Sequence, residues 1–158
     1  MRFKGASPAV IIGGVLLIIV AAAIALLLNK AQPTTPLYIG SGVFDATIAY
    51  TQPARERGYG GISAVPENGA LILAFATSNT WQITMKDMKV PLDIIWLSSD
   101  KKVVHIEKNV SPDGGAFTVL TPDKPARYVI EVPAGTVKAK AIAVGRSAIF
   151  DVQVGDIQ

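Results

Sequence analysis

Two hydrophobic rhythms divide this chain. From Ala9 to Leu28 it reads AVIIGGVLLIIVAAAIALLL, without one polar side chain. A helix packed on a soluble core would show a polar face, and this run shows none. Its 20 positions, at about 1.5 Å of rise each, reach roughly 30 Å, the thickness of one bilayer core. The run predicts a single transmembrane helix over 9–28. A cleaved signal peptide has a shorter apolar core of about 7–15 residues and a small-x-small site after it. Asn29-Lys30-Ala31 fits that site poorly at its first position. A retained signal anchor is therefore expected.

Beyond the run the rhythm changes to a period of two. In Val43–Tyr50 (VFDATIAY), Phe44, Ala46, Ile48 and Tyr50 share one face, with Asp45 and Thr47 on the other. That is the pattern of a half-buried strand. Further strands are predicted over Gly69–Phe75, Thr80–Thr84, Leu92–Leu97, Lys102–Glu107, Phe117–Leu120, Ala126–Val132 and Arg146–Val154. Only two short helices are expected. One runs from Thr51 to Gly58, with Thr51 as N-cap, Pro53 in the first turn and Gly58 as terminator. The other lies within Ala134–Ala141.

Many short strands, frequent turns and brief helices predict a mainly β fold, a small β-barrel or sandwich. A parallel α/β fold is disfavoured, because no stretch offers long crossover helices. The expected organisation is an N-terminus over 1–8, the anchor over 9–28, a linker over 29–42 containing Gln32-Pro33-Thr34-Thr35-Pro36, and a β-domain over 43–154.

Charge then sets the orientation. Arg2 and Lys4 precede the apolar run; Lys30 alone follows it closely. The basic side stays in the cytoplasm, so residues from about Ala31 onward are expected outside the membrane. Of the 15 basic residues these three flank the run, leaving 12 against 12 acidic residues in the outer part. The outer part is formally neutral, which argues against a nucleic-acid partner. The absence of cysteine removes disulfides, thiolate metal sites and cysteine nucleophiles.

Three blocks of the outer part resemble the family called domain of unknown function 192. They are Arg55-Glu56-Arg57-Gly58, then Met85-Lys86-x-Met88-x-x-Pro91-Leu92-Asp93-Ile94-Ile95 with Lys102–Ile106, then Pro125–Val132 ending in Ala134-Gly135. The resemblance spans about Val43 to Val154. It implies a small β-rich barrel or sandwich behind a signal peptide or anchor, and no catalytic role comes with it. The chain departs from the family pattern at Ile83-Thr84, where an aromatic pair is usual. It departs again at Tyr59-Gly60, at Gly145-Arg146, and in lacking a cysteine pair within Asn109–Leu120. If those positions shape a pocket, this pocket is altered. Separately, Lys4-Gly5-Ala6-Ser7-Pro8 before the apolar run resembles an archaeal type IV pilin leader.

Asp93 stands at the start of an apolar strand. An unpaired carboxylate there is costly to bury, so it is expected to bond backbone N–H groups or a cation such as Lys86, Arg55, Arg57 or Arg127. The simplest role is structural. The functional reading is a polar binding site assembled from Lys86, Asp93, Arg127, Glu131 and Arg57. Glu131 alternates with Ile130 and Val132, and with Asp93 it offers a carboxylate pair for acid–base work. His105 is the only histidine, too little for catalytic zinc, and is expected to face outward beside Glu107. No metal or cofactor is expected. Trp81 is the best exposed aromatic for stacking a sugar ring.

These residues predict a membrane-anchored, extracytoplasmic binding or accessory module of the cell envelope. Its partners would be the lipid bilayer through 9–28 and a small molecule, glycan or envelope protein. The alternatives are an envelope hydrolase using Asp93 with Glu131, and a pilin-like filament subunit.

Overall fold

The computed structural model describes Val20 and residues 33–158. The expected anchor over 9–28, apart from Val20, and the pilin-like leader lie outside the described residues. Among the described residues no helix is long and apolar enough to cross a membrane. Residues Thr34–Gln158 form a compact unit of their own.

That unit is mainly β. Nine strands are described: β1 (Thr35–Ile39), β2 (Gly42–Ala49), β3 (Gly69–Asn79), β4 (Ile83–Thr84), β5 (Leu92–Leu97), β6 (Val103–Val110), β7 (Val119–Leu120), β8 (Ala126–Pro133) and β9 (Ala148–Ile149). Seven form one sheet in the order β6-β5-β8-β3-β2-β1-β9, and β4 pairs with β7. The sheet is strongly curled into a half-barrel. It does not close along its length. Its two edges meet at one corner, through the Lys102–Ser147 bridge and the flanking Val103 N–H to Arg146 and Ala148 N–H to Lys101 hydrogen bonds, both 2.8 Å.

The curl follows from strands that are apolar on both faces. In β3, β5 and β8 alternate residues feed two separate cores. Ile72, Ile95, Leu97, Tyr128, Ile130 and Val132 join Val103 of β6 and Ala148 of β9 in one cluster. Residues of both edge strands can share a cluster only on the concave face. Leu71, Leu73, Leu92, Ile94, Trp96 and Val129 form the second cluster, on the convex face. A short helix, α2 (Thr136–Ala139), brings Val137 into the concave core.

One connection departs from the antiparallel pattern. β2 and β3 pair in parallel, Asp45 opposite Gly69 through Ala49 opposite Leu73. A parallel pair needs a crossover, and residues 50–68 supply it. The crossover carries α1 (Gln52–Arg57), capped as expected by the Thr51 side chain, which accepts from Ala54 N–H at 3.4 Å. Ala54 and Tyr59 pack on the convex core. The same face is covered by Trp81, Met85 and Met88.

Three expectations are corrected. The sheet begins at Thr35, inside the segment expected as linker. Leu37 and Ile39 are buried, and β9 pairs only with Tyr38 and Ile39. The first half of β1 is thus a free edge, where a proline such as Pro36 is tolerated. The closing strand shrinks from Arg146–Val154 to Ala148–Ile149. Trp81 is less exposed than expected: it is half-buried, and one ring face stacks on Phe75 with centroids 4.3 Å apart and planes at 9°.

Asp93 does the structural work expected of it, with backbone partners only. Leu92 faces Val110 and Ile94 faces Glu107, so Asp93 opposes two residues, Lys108 and Asn109, across a bulge. Asn109 has φ +50°, and its unpaired N–H donates to Asp93 Oδ1 at 2.8 Å. Oδ2 accepts from Val137 N–H at 2.7 Å, at the start of α2. One carboxylate therefore satisfies a bulge and a helix N-terminus. Hydrogen bonds to a charged group contribute about 1.5–3 kcal/mol each. Asp93→Ala should lower the unfolding free energy of Thr34–Gln158 by roughly 3 kcal/mol or more, measured by urea denaturation. A loss below about 1 kcal/mol would show that the two bonds do not hold the bulge and helix in place.

Candidate functional site

Asp93 and Glu131 are the only buried carboxyl side chains among the described residues, at 1% and 4% exposure. Their register separates them. β5 and β8 are antiparallel neighbours, with Asp93 opposite Val132 and Ile94 opposite Glu131. Directly opposed residues share a face of the sheet. Asp93 therefore sits with Val132 on the concave face, and Glu131 with Ile94 on the convex face. The pairing of Asp93 with Glu131 in one acid–base site is excluded by the sheet between them. The five-residue polar cluster also divides. Asp93 is on the wrong face, and Arg127 lies apart, donating to the Phe75 carbonyl at 3.3 Å.

The other three do meet. Arg57, Lys86 and Glu131 line a cleft of about 270 Å³ on the convex side. One wall is the end of α1, Glu56 to Gly58. The other is Gln82, Ile83 and Thr84 at β4, followed by Lys86 and Met88. Leu73 and Glu131 are contributed by β3 and β8. Each of the three sequence blocks noted above supplies a residue: Arg57 and Gly58, Lys86, and Glu131. Ile83 and Thr84, where the chain departs from the family pattern, also line it.

Gly58 lets the chain approach the carboxyl. It has φ +51°, and a Cβ there would stand 3.2 Å from Glu131 Oε2 and 3.3 Å from Oε1. A side chain at this position would be both strained and crowded. Immediately after it, Tyr59 turns its ring into the convex core. Burial raises the Tyr59 phenol well above its usual range, and Glu131 raises it further.

Glu131 is the anomaly of the domain. Its Oε2 is buried and has no hydrogen-bond partner. Desolvation pushes the carboxyl up to about 7, against a smaller opposing effect of the Tyr59 backbone N–H. An acid here is neutral in mildly acidic solution and poised to change charge near neutrality. Arg55 also borders the cleft, but its guanidinium is committed. Nη1 donates to the carbonyls of Tyr50 at 2.7 Å and Ala74 at 3.0 Å, and Nη2 to that of Gln158 at 2.7 Å. Its burial lowers the guanidinium pKa, partly countered by Glu56. Neither Arg57 nor Lys86 has an ion-pair partner among the described residues.

His105 was expected to face outward beside Glu107; it does lie beside Glu107, but its side chain is only 14% exposed and its ring packs edge-on against Trp96, centroids 5.3 Å apart. Nε2 lies 3.1 Å from Glu107 Oε1 and Nδ1 3.1 Å from Asp123 Oδ2. A larger hollow of about 560 Å³ lies beside it, lined mostly by half-buried and exposed side chains. It contains no unsatisfied buried polar atom. Among the described residues no group of histidines and carboxylates is arranged to hold a metal.

The Glu131 anomaly has a measurable consequence. The fold favours the protonated carboxyl. That contribution is fully present below about pH 4.5 and is lost as pH rises through about 7. The span corresponds to roughly 3 kcal/mol. Glu131→Gln should remove this dependence, so that the variant gains on the wild type as pH rises from about 5 to about 8. Urea denaturation of both proteins across that range measures it. Parallel stability curves would mean that Glu131 finds a partner in solution.

Solved structures share this architecture. A protein of unknown function from Novosphingobium aromaticivorans superposes with a TM-score of 0.71 at 21% identity, covering 77% of this chain and 88% of its own. A transcription-regulator candidate from Sinorhizobium meliloti gives 0.68 at 18% identity, covering 77% and 98%. At such identities the likeness concerns the fold alone. No curated protein matches the chain. The family model described as "Uncharacterized ACR" matches residues 37–150, from the buried Leu37 of β1 to Phe150 just after β9, and the chain belongs to that family, domain of unknown function 192.

Proposed function

We propose that the protein is a membrane-anchored, extracytoplasmic binding module whose ligand site is the Glu131 cleft. The observation that carries this reading is the buried, unpartnered Oε2 of Glu131 in a residue lining an open cleft. A buried polar atom without a partner costs about 1–3 kcal/mol. A ligand that supplies the missing hydrogen bond recovers that cost on binding. The walls add Arg57 and Lys86, two cationic side chains without ion-pair partners among the described residues. Binding rather than catalysis is favoured because Glu131 is the one buried carboxyl of the cleft, and the other acid in its lining, Glu56, is exposed and bonded to the Gln52 side chain. The membrane location rests on the apolar run over 9–28 and the basic residues before it.

Two measurements test the two halves of the proposal. A thermal-shift screen of the full-length chain against sugars, small acids and cell-wall fragments should find a stabilising compound. At 100 times its dissociation constant such a compound adds about 2.7 kcal/mol. Gly58→Ala, which intrudes on the Glu131 carboxyl, should fold and lose that response. A compound that stabilises both proteins equally binds elsewhere, and the cleft would be discarded. For the location, protease added outside intact cells should degrade the part after Ala31 and spare the N-terminus. Complete protection in cells whose envelope admits the protease as far as the outer face of the membrane would place the domain on the cytoplasmic side.

A further inference from the structure

The charges around Glu131 specify the kind of molecule the cleft takes. Resting on the binding reading above, we propose that the cleft recognises a small organic anion, a carboxylic acid about the size of a monosaccharide, and that each binding event requires a proton on Glu131.

The argument starts from the groups facing the carboxyl. From the crossover come Arg55, Glu56 and Arg57 in the lining, and the buried Tyr59, whose phenol feels the charge of Glu131. From the segment after β4 comes Lys86, with Asp87 near Gly60 but outside the cleft lining. β3 and β5 contribute only apolar neighbours, Leu73 in the lining and Ile94 in register with Glu131. Arg55 is bound to three backbone carbonyls, and Glu56 accepts from the Gln52 side chain at 2.7 Å on the exposed side of α1. The charged side chains left to meet a ligand are Arg57 and Lys86, both positive and both solvent-exposed.

A ligand in the cleft shares it with those two cations, which line it together with Glu131. A carboxylate ligand is attracted to them and meets Glu131 at the floor. Two carboxylates in contact there would repel, as like charges do at close range. The proton on Glu131 removes that repulsion and offers an O–H donor to the ligand's oxygen. A cationic ligand would prefer the ionised carboxylate, but it would share the cleft with the like charges of Arg57 and Lys86. The volume, about 270 Å³, is just below the range of about 300–1,000 Å³ for drug-sized ligands, which favours a molecule the size of a single sugar ring or smaller.

The two ligand classes therefore differ in the sign of their pH dependence. Anion binding takes up a proton and weakens as pH rises through about 7. Cation binding releases one and strengthens. When only the protonated fraction binds, the apparent dissociation constant scales inversely with that fraction. Between about pH 5.5 and about pH 8.5 an acid ligand should weaken by roughly 30-fold.

The test uses three probes of matched size, glucuronate, glucose and glucosamine, titrated into the isotope-labelled full-length chain in detergent. Backbone amide shifts at Gly58, Lys86 and Glu131 report occupancy of the cleft. Glucuronate should shift those amides at about pH 5.5 and bind roughly 30-fold more weakly at about pH 8.5. Glu131→Gln, neutral at both pH values, should bind it with no pH dependence. Lys86→Ala should weaken glucuronate and leave glucose unchanged. Glucosamine binding that strengthens with pH, or equal binding of glucose and glucuronate, would overturn the assignment of an anion while leaving a ligand site in place. If none of the three shifts any cleft amide at either pH, both the anion and the binding reading fall.

Discussion

Three central strands, β3, β5 and β8, are apolar on both faces, and everything else in the domain answers to that constraint. A sheet of this kind must bury two surfaces. The concave surface is buried by the sheet's own curl, with α2, Ile142 and Phe150 added to the core. The convex surface cannot be reached by curling. It is covered instead by the β2–β3 crossover and by the segment from Trp81 to Val90. These two covers are the segments before and after β3, and the seam between them is the cleft. The candidate site is thus a by-product of how the convex core is closed.

Two buried carboxyls on neighbouring strands show what burial demands of an acid. Asp93 is enclosed on the concave side and compensated by two backbone N–H groups, one from the bulge at Asn109 and one from the start of α2. Both donors would otherwise be unsatisfied, so the carboxylate and its partners stabilise one another. Glu131 is buried on the convex side with Oε2 unpartnered. Its neighbours are Gly58, drawn close by the crossover, and the apolar Leu73 and Ile94. The same side-chain chemistry gives a structural tie in one place and a titratable, ligand-seeking group in the other. The difference lies in which backbone donors are within reach.

Much of this was legible in the chain. Alternation in VFDATIAY and the compact apolar runs GALILAF and LDIIWL marked strands that the structure contains. Thr51, Pro53 and Gly58 marked a helix that spans Gln52–Arg57. Asp93 was identifiable as a carboxylate in need of partners, because an aspartate beside Leu92 and Ile94 cannot be left bare. Its donors were not identifiable, because the Asn109 and Val137 N–H groups lie 16 and 44 residues away. β1 was hidden by Thr35 and Pro36 at its start, since Pro36 is acceptable only where the neighbouring strand stops short. The end of the chain carried an alternating pattern over Arg146–Val154, yet only two of those residues find a strand to pair with.

Local pattern sets which residues have a buried side, and here the sequence by itself determined the central strands, the short helix of the crossover, the family and the unbroken apolar run before the domain. Alternation even separates Glu131 from Ile130 and Val132 within β8. It does not say which strands become neighbours. Whether Asp93 and Glu131 share a face depends on the register between β5 and β8, two strands separated by the whole of β6 and β7. A shift of one residue in that register would have put them together. Only the tertiary structure decided that they lie on opposite sides. It also brought Arg57, Lys86 and Glu131 together from three separate blocks, because the convex core had to be covered by whatever chain the crossover and the β4 segment could lay over it.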